Sequence, residues 1–136
     1  METLKIRIKS VKKALGQLKI AIDQLAKDEY SNLYEIIRDS TIQRFEFCCD
    51  TMWKLLKMLL RQKHNITVDP ATPRRIFRTC YDHGMLEKDE LSTFNSMIRD
   101  RNTTSHTYNE EIAEQISNRI PQYYETMKKI IDRLQL

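Results

Sequence analysis

"LKIRIKSVKKALGQLKIAIDQL", residues 4–25, places Leu4, Ile8, Val11, Leu15, Leu18, Ile22 and Leu25 at alternating steps of four and three. That spacing brings all seven onto one face of a helix, while lysines occupy the other faces. The spacing predicts a helix from about residue 3 to 28. Its apolar seam needs a helical neighbour to cover it.

The rest of the chain repeats the pattern. A second helix is expected from Asn32 to His64, with Ile42, Phe45, Cys49, Met52, Leu56 and Leu59 as its stripe. Phe47, Cys48, Trp53, Leu55 and Leu60 widen that stripe, so this helix is either central or also faces another subunit. "SNLYE" offers Ser31 or Asn32 as its cap. The loop "HNITVDPATPRR" follows, with Thr72 as N-cap and Pro73 at the first position of a short helix over 73–83 that Gly84 ends. A fourth helix is expected over 87–102, carrying Leu91, Phe94, Met97 and Ile98. The last carries Ile112, Ile116, Ile120, Tyr123, Met127, Ile130 and Leu134, with a kink expected at Pro121. The fold class is all-α: an up-and-down bundle of four long helices plus one short helix, in a single domain over 1–136.

Charge and composition bound the function. A net charge of +4 admits an anionic partner such as RNA or a nucleotide without demanding one. Cys48, Cys49 and Cys80 lack zinc-ligand spacing, and the adjacent pair has poor geometry for a disulfide. They read as reduced core residues of a cytosolic protein. "METLKIRIKSVKKAL" breaks its apolar residues with lysines, unlike a signal peptide, and no apolar run approaches the roughly 18 residues of a membrane helix.

"RDRNTTSHTYNEE", residues 99–111, is the segment that helix propensity explains least. One reading is structural. Thr107-Tyr108-Asn109-Glu110 fits a capping box, so the last helix begins at Tyr108 and Asn102 to His106 form the turn. The other is chemical. A histidine beside a helix N-terminus can move protons near neutral pH, and an arginine can grip a phosphate in a fork. Together they suit metal-free attack of a ribose 2′-OH on its neighbouring phosphate. Glu110 and Glu111 oppose this by placing negative charge at the same helix end.

"RNTTSHTY" resembles the Arg-x-x-x-x-His-x-Tyr motif of the HEPN superfamily (higher eukaryotes and prokaryotes nucleotide-binding). "RDSTIQRFEFCCDTMWKLLK", residues 38–57, and "TPRRIFRTCYDHGML" resemble successive segments of its HepT-like branch, the nucleotidyltransferase substrate-binding proteins. The likeness runs from about residue 4 to 134. It implies a homodimeric bundle that associates with a cognate minimal nucleotidyltransferase. It also implies a metal-independent RNase toxin acting on an RNA substrate in a cleft between protomers, with the partner as antitoxin. The catalytic roles fall on Arg101 and His106. Asn102 matches the polar residue that often follows the arginine, and Tyr108 is the acceptor for AMP transferred by the partner. No metal or other cofactor is implied. The alternative within the branch is a non-catalytic subunit that presents substrate to the nucleotidyltransferase.

Other residues have plainer readings. Trp53 suits core or a dimer interface rather than base stacking. Glu46 and Asp50 suggest a metal less than i,i+4 pairing with Lys54, and Glu46, set between Phe45 and Phe47, is expected half-buried beside an arginine. His64 and His83 sit near helix ends, where the dipole or capping explains them. Arg74, Arg75 and Arg78 are either a solvated basic face or contacts for RNA phosphates.

Overall fold

The computed structural model describes residues 2–29, 31–106 and 109–134, with only the backbone for Glu2, Ser105 and His106. Five helices follow in order: α1 (Glu2–Lys27), α2 (Tyr34–His64), α3 (Pro73–Asp82), α4 (Lys88–His106) and α5 (Glu110–Arg133). The described residues contain no strand. This is the all-α arrangement the periodicity predicts, four long helices and one short.

The α1 seam is buried from Leu4 through Leu18, and Ile22 is half-buried against the same core. Arg44 Nη1 of α2 donates to the Gln17 carbonyl of α1 at 2.7 Å, and Thr41 Oγ1 lies 3.5 Å from the Ala21 carbonyl. The numbering runs in opposite senses, so the two helices are antiparallel. α2 packs against each of the other four helices, which makes it the central element. Its second apolar set divides: Cys48, Leu55 and Leu60 enter the core, Trp53 packs half-buried on it, and Phe47 stays exposed. Phe45 stacks on Tyr123 with ring centroids 5.6 Å apart, and Phe77 meets Phe94 at 4.8 Å. Each fully buried large side chain of this kind stabilises the fold by about 1.5–3 kcal/mol.

The three cysteines are free and buried, and burial pushes the Cys48 and Cys80 thiols up to about 12. Thr72 caps α3 as expected, its hydroxyl accepting from Arg75 N–H at 3.3 Å, with Pro73 in the first turn. Beyond α3, Gly84 has φ +76°, its N–H donates to the Tyr81 carbonyl, and Met85 N–H donates to the Cys80 carbonyl at 2.9 Å. That pair of bonds closes the helix and needs the left-handed residue.

The start of α2 differs from expectation. It begins at Tyr34, and the capping position is Leu33, which makes no side-chain cap bond. Ser31 Oγ instead accepts from Leu33 N–H at 3.0 Å, a local turn that diverts the hydroxyl from the helix. Pro121 lies inside α5, and the helix continues on both sides of it.

Two buried carboxylates tie α4 to α5. Glu90 accepts from Arg133 Nη1 and Nη2, each at 2.8 Å, and from its own helix end through Glu87 N–H at 2.8 Å. Asp100 accepts from Arg119 Nε at 2.8 Å, Arg119 Nη2 at 3.0 Å and the Tyr123 hydroxyl at 2.6 Å.

Candidate functional site

The motif segment is helical where a turn was expected. α4 runs on through Asn102, Thr103, Thr104, Ser105 and His106. The hydroxyls that compete with helix elsewhere are accommodated here. Thr103 Oγ1 donates back to the Arg99 carbonyl at 2.9 Å, and Thr104 Oγ1 donates to Glu46 Oε2 of α2 at 2.7 Å. The α5 cap also moves. Asn109 is the N-cap, with its Oδ1 accepting from Ile112 N–H at 3.1 Å, and α5 starts at Glu110; the expected cap Thr107 and expected first residue Tyr108 lie outside the described residues. Asn reaches the free N–H groups as well as Thr does, and shifts the helix start by two residues.

Arg101 is held by two carboxylates from the central helix. Its Nε and Nη2 donate to Asp50 Oδ1 and Oδ2 at 3.2 and 3.1 Å, and its Nη1 donates to Glu46 Oε2 at 2.8 Å. The bidentate fork fixes the guanidinium plane. The hydrogen bond to Asp50 is the main reason the guanidinium is held more firmly protonated than usual, against a smaller opposing effect of burial. The side chain is 24% exposed, so it is gripped without being sealed from solvent.

This geometry confirms Glu46 as a half-buried partner of an arginine. It overturns the expected pairing of Asp50 with Lys54: Asp50 turns to Arg101, whose planar fork offers two parallel bonds where a lysine offers one point charge. Among the described residues no cluster of His, Cys, Asp or Glu could hold a metal ion. Cys49, next to Asp50 on α2, is fully buried, and burial pushes its thiol well above its ordinary value.

A cleft of about 280 Å³ opens beside the clamp, lined by Asp39, Ile42, Thr104, Asn109, Ile112 and Ala113 among others. The side chain of His106 and all of Tyr108 lie outside the described residues, so their expected roles rest on sequence position. Asn102 is exposed on α4. Trp53 is half-buried, and His83 caps the end of α3 with Nδ1 2.9 Å from the Thr79 carbonyl. Of the arginine cluster, Arg78 pairs with Asp82 at 3.0 Å on the exposed face.

Sequence reasoning passed over three residues that join α2 to α5. Arg38, only 4% exposed, bonds Asp39 and Glu114. Tyr34 also bonds Glu114, and burial, with that bond second, pushes its hydroxyl up to about 12. Glu114 falls on the polar side of the α5 pattern and carries no local signal of this role.

The sequence profile of the family described as nucleotidyltransferase substrate binding protein like matches residues 6–136. The chain belongs to this family. No curated protein matches it closely enough to count as a relative. Among solved structures, the same helical fold recurs. A Thermus thermophilus protein shares 32% identity at a TM-score of 0.80, with 93% of this chain and 99% of that one covered. A Haemophilus influenzae protein, described as having the fold of a substrate binding domain of a nucleotidyltransferase, shares 21% identity at a TM-score of 0.82, over 95% and 99% of the two chains. The tri-AMPylated HEPN toxin of Shewanella oneidensis, solved in complex with its MNT antitoxin, shares 16% identity at a TM-score of 0.73, over 97% and 96%. The profile match agrees with the family read from the motif segments, and the structural likenesses agree with its all-α fold.

Proposed function

We propose that this protein is the toxin of a toxin–antitoxin pair, a metal-independent endoribonuclease whose site is built on Arg101 and His106. The observation that carries the reading is the clamp on Arg101. Two carboxylates from α2 orient a partly exposed guanidinium near the end of α4, five residues before the only histidine of this region. Fixed orientation is what a residue needs to meet charge as it develops on a phosphate.

The chemistry balances without a further reagent. The 2′-OH attacks the adjacent phosphorus, and the bond to the next nucleotide's 5′-oxygen breaks. A 2′,3′-cyclic phosphate and a 5′-hydroxyl form. His106 takes the 2′-OH proton and returns one to the leaving oxygen, while Arg101 neutralises charge on the non-bridging oxygens.

Positions 101 and 106 on one helix are about 140° apart around its axis and about 7.5 Å apart along it. One face of α4 cannot present both, which supports a site completed by a second copy. The pairing surface proposed is the outer stripe of α2, where Ile36 and Phe47 are 67% and 59% exposed. They lie eleven residues apart, close to three full turns and so on one line of the helix.

A minimal nucleotidyltransferase is the proposed antitoxin. It moves AMP from ATP onto the Tyr108 hydroxyl and releases pyrophosphate. The added phosphate brings negative charge to the place where RNA phosphate must sit. The second reading is a binding subunit without catalysis, and one observation favours it: Glu46 and Asp50 offset the charge of Arg101.

The deciding assay is RNA cleavage in EDTA. The purified protein should cleave, and Arg101→Ala and His106→Ala should each lose at least ~10²-fold in rate with helical circular dichroism intact. Retained cleavage in both variants removes the site assignment, and a wild type that binds but never cleaves selects the binding subunit. Co-expression with the cognate nucleotidyltransferase should add one AMP mass that Tyr108→Phe prevents.

A further inference from the structure

We infer that Arg7, Lys54, Lys57 and Arg61 form a track for the phosphate backbone of single-stranded RNA leading along α2 to the motif site. This rests on the ribonuclease reading and says how that site obtains its substrate.

The four cations line one groove of about 190 Å³ between α1 and α2, floored by Met58. All four are exposed, and none of them forms an ion pair among the described residues. The chain places its positive charge here and little to offset it. Between Glu2 and Asp23, α1 carries Lys5, Arg7, Lys9, Lys12, Lys13 and Lys19 and no acid. After Asp50, α2 carries Lys54, Lys57, Arg61 and Lys63, and the next acid is Asp69, beyond its end. The antiparallel packing of α1 on α2 brings these two basic stretches side by side.

The motif site needs such a neighbour. Around Arg101 stand Glu46 and Asp50, and Glu110 and Glu111 open α5 close by. This local field repels a polyanion. Asp50, which grips Arg101, lies one helical turn before Lys54 on α2, and Arg61 is about 16 Å further on from Asp50. The track therefore begins where the clamp ends, and attraction and chemistry occupy adjacent stretches of one helix.

The charges select the occupant. A second copy of this chain would set like charges against like. Cations repeating along a helix with an apolar floor between them suit evenly spaced phosphates and their riboses, read without regard to sequence. Lysine ammonium groups on flexible stems suit a mobile single strand better than a fixed geometry.

The test uses His106→Ala protein, which does not cleave, and a labelled oligouridylate of about twelve nucleotides, with anisotropy followed across potassium chloride. Four contacts predict a log–log salt slope of about −2.8, at ~0.7 per phosphate neutralised on a single strand. Lys54→Gln/Lys57→Gln should reduce its magnitude by about 1.4 and weaken binding about 25-fold at 0.1 M salt. With His106 intact, cleavage of a dinucleotide, too short to reach the groove, should be unchanged by the double substitution, while KM for long RNA rises. RNA binding with the predicted slope but no cleavage by wild type would uphold the track and reject the ribonuclease reading. An unchanged slope overturns the track, and loss of nucleotidyltransferase co-purification alongside that unchanged slope would assign the groove to the protein partner instead.

Discussion

Asp100→Ala tests whether the end of α4 is held in place from below. The Asp100 side chain is 4% exposed and accepts from Arg119 twice and from Tyr123 once. Hydrogen bonds to a charged group are worth about 1.5–3 kcal/mol, and a buried donor left unsatisfied costs about 1–3 kcal/mol. Arg119 is 42% exposed, so water can replace much of what it loses, and its share must be discounted. Tyr123 is 3% exposed, and its hydroxyl has no such recourse. The expected cost is therefore about 3 kcal/mol, toward the lower bound for breaking a fully buried pair. For a chain of 136 residues that is a fall of about 10 °C in Tm. Tyr123→Phe, which leaves the Arg119 fork on Asp100, should cost about 1 kcal/mol. Urea titration followed by circular dichroism measures both. Because Asp100 precedes Arg101, the Asp100→Ala protein should also cleave RNA more slowly at a temperature where it is still folded. A loss below about 1 kcal/mol for Asp100→Ala would show that this clamp does not hold the site.

Two further outcomes follow from the geometry. If the site is completed across two copies, mixing Arg101→Ala with His106→Ala protein should restore up to about a quarter of wild-type cleavage, since half the dimers are mixed and each holds one intact site of two; a site contained in one chain predicts none. Burial works to raise the Glu90 carboxyl, but bonds from Arg133 and Glu87 N–H and the charges of Arg133 and Lys129 outweigh it, leaving it below its usual 4.5. A lowered native value means the stabilisation is present above the unfolded value and is lost as pH falls through the native one. Stability should therefore decline on acidification below about pH 4.5, and Glu90→Gln should flatten that decline.

Signals carried within a few residues were legible. The 4-3 seam of α1, the Thr72-Pro73 start of α3 and the Gly84 stop depend on periodicity and local backbone bonds, and the structure agrees with each. Local signals misled where two of them competed. "NTTSHTYNE" contains enough Ser, Thr and Asn for a turn and two possible caps, and tertiary contact decided between them. Thr104 finds Glu46 across the α2–α4 interface, the helix extends to His106, and Asn109 takes the cap.

The family was readable from three motif segments, as were Arg101 and His106 as candidates, because a motif is a local string. The surroundings of Arg101 were not. Asp50 and Glu46 precede it by 51 and 55 residues, and at that separation the sequence offers Lys54 to Asp50 as readily as Arg101. The basic groove has the same origin, since Arg7 and Arg61 meet only because α1 folds back on α2. Steps of three and four residues were enough to say which stretches are helical and which face of each is apolar. Which carboxylate meets which guanidinium, and which lysines share a groove, followed only once the apolar faces had closed on one another and set the order of the helices.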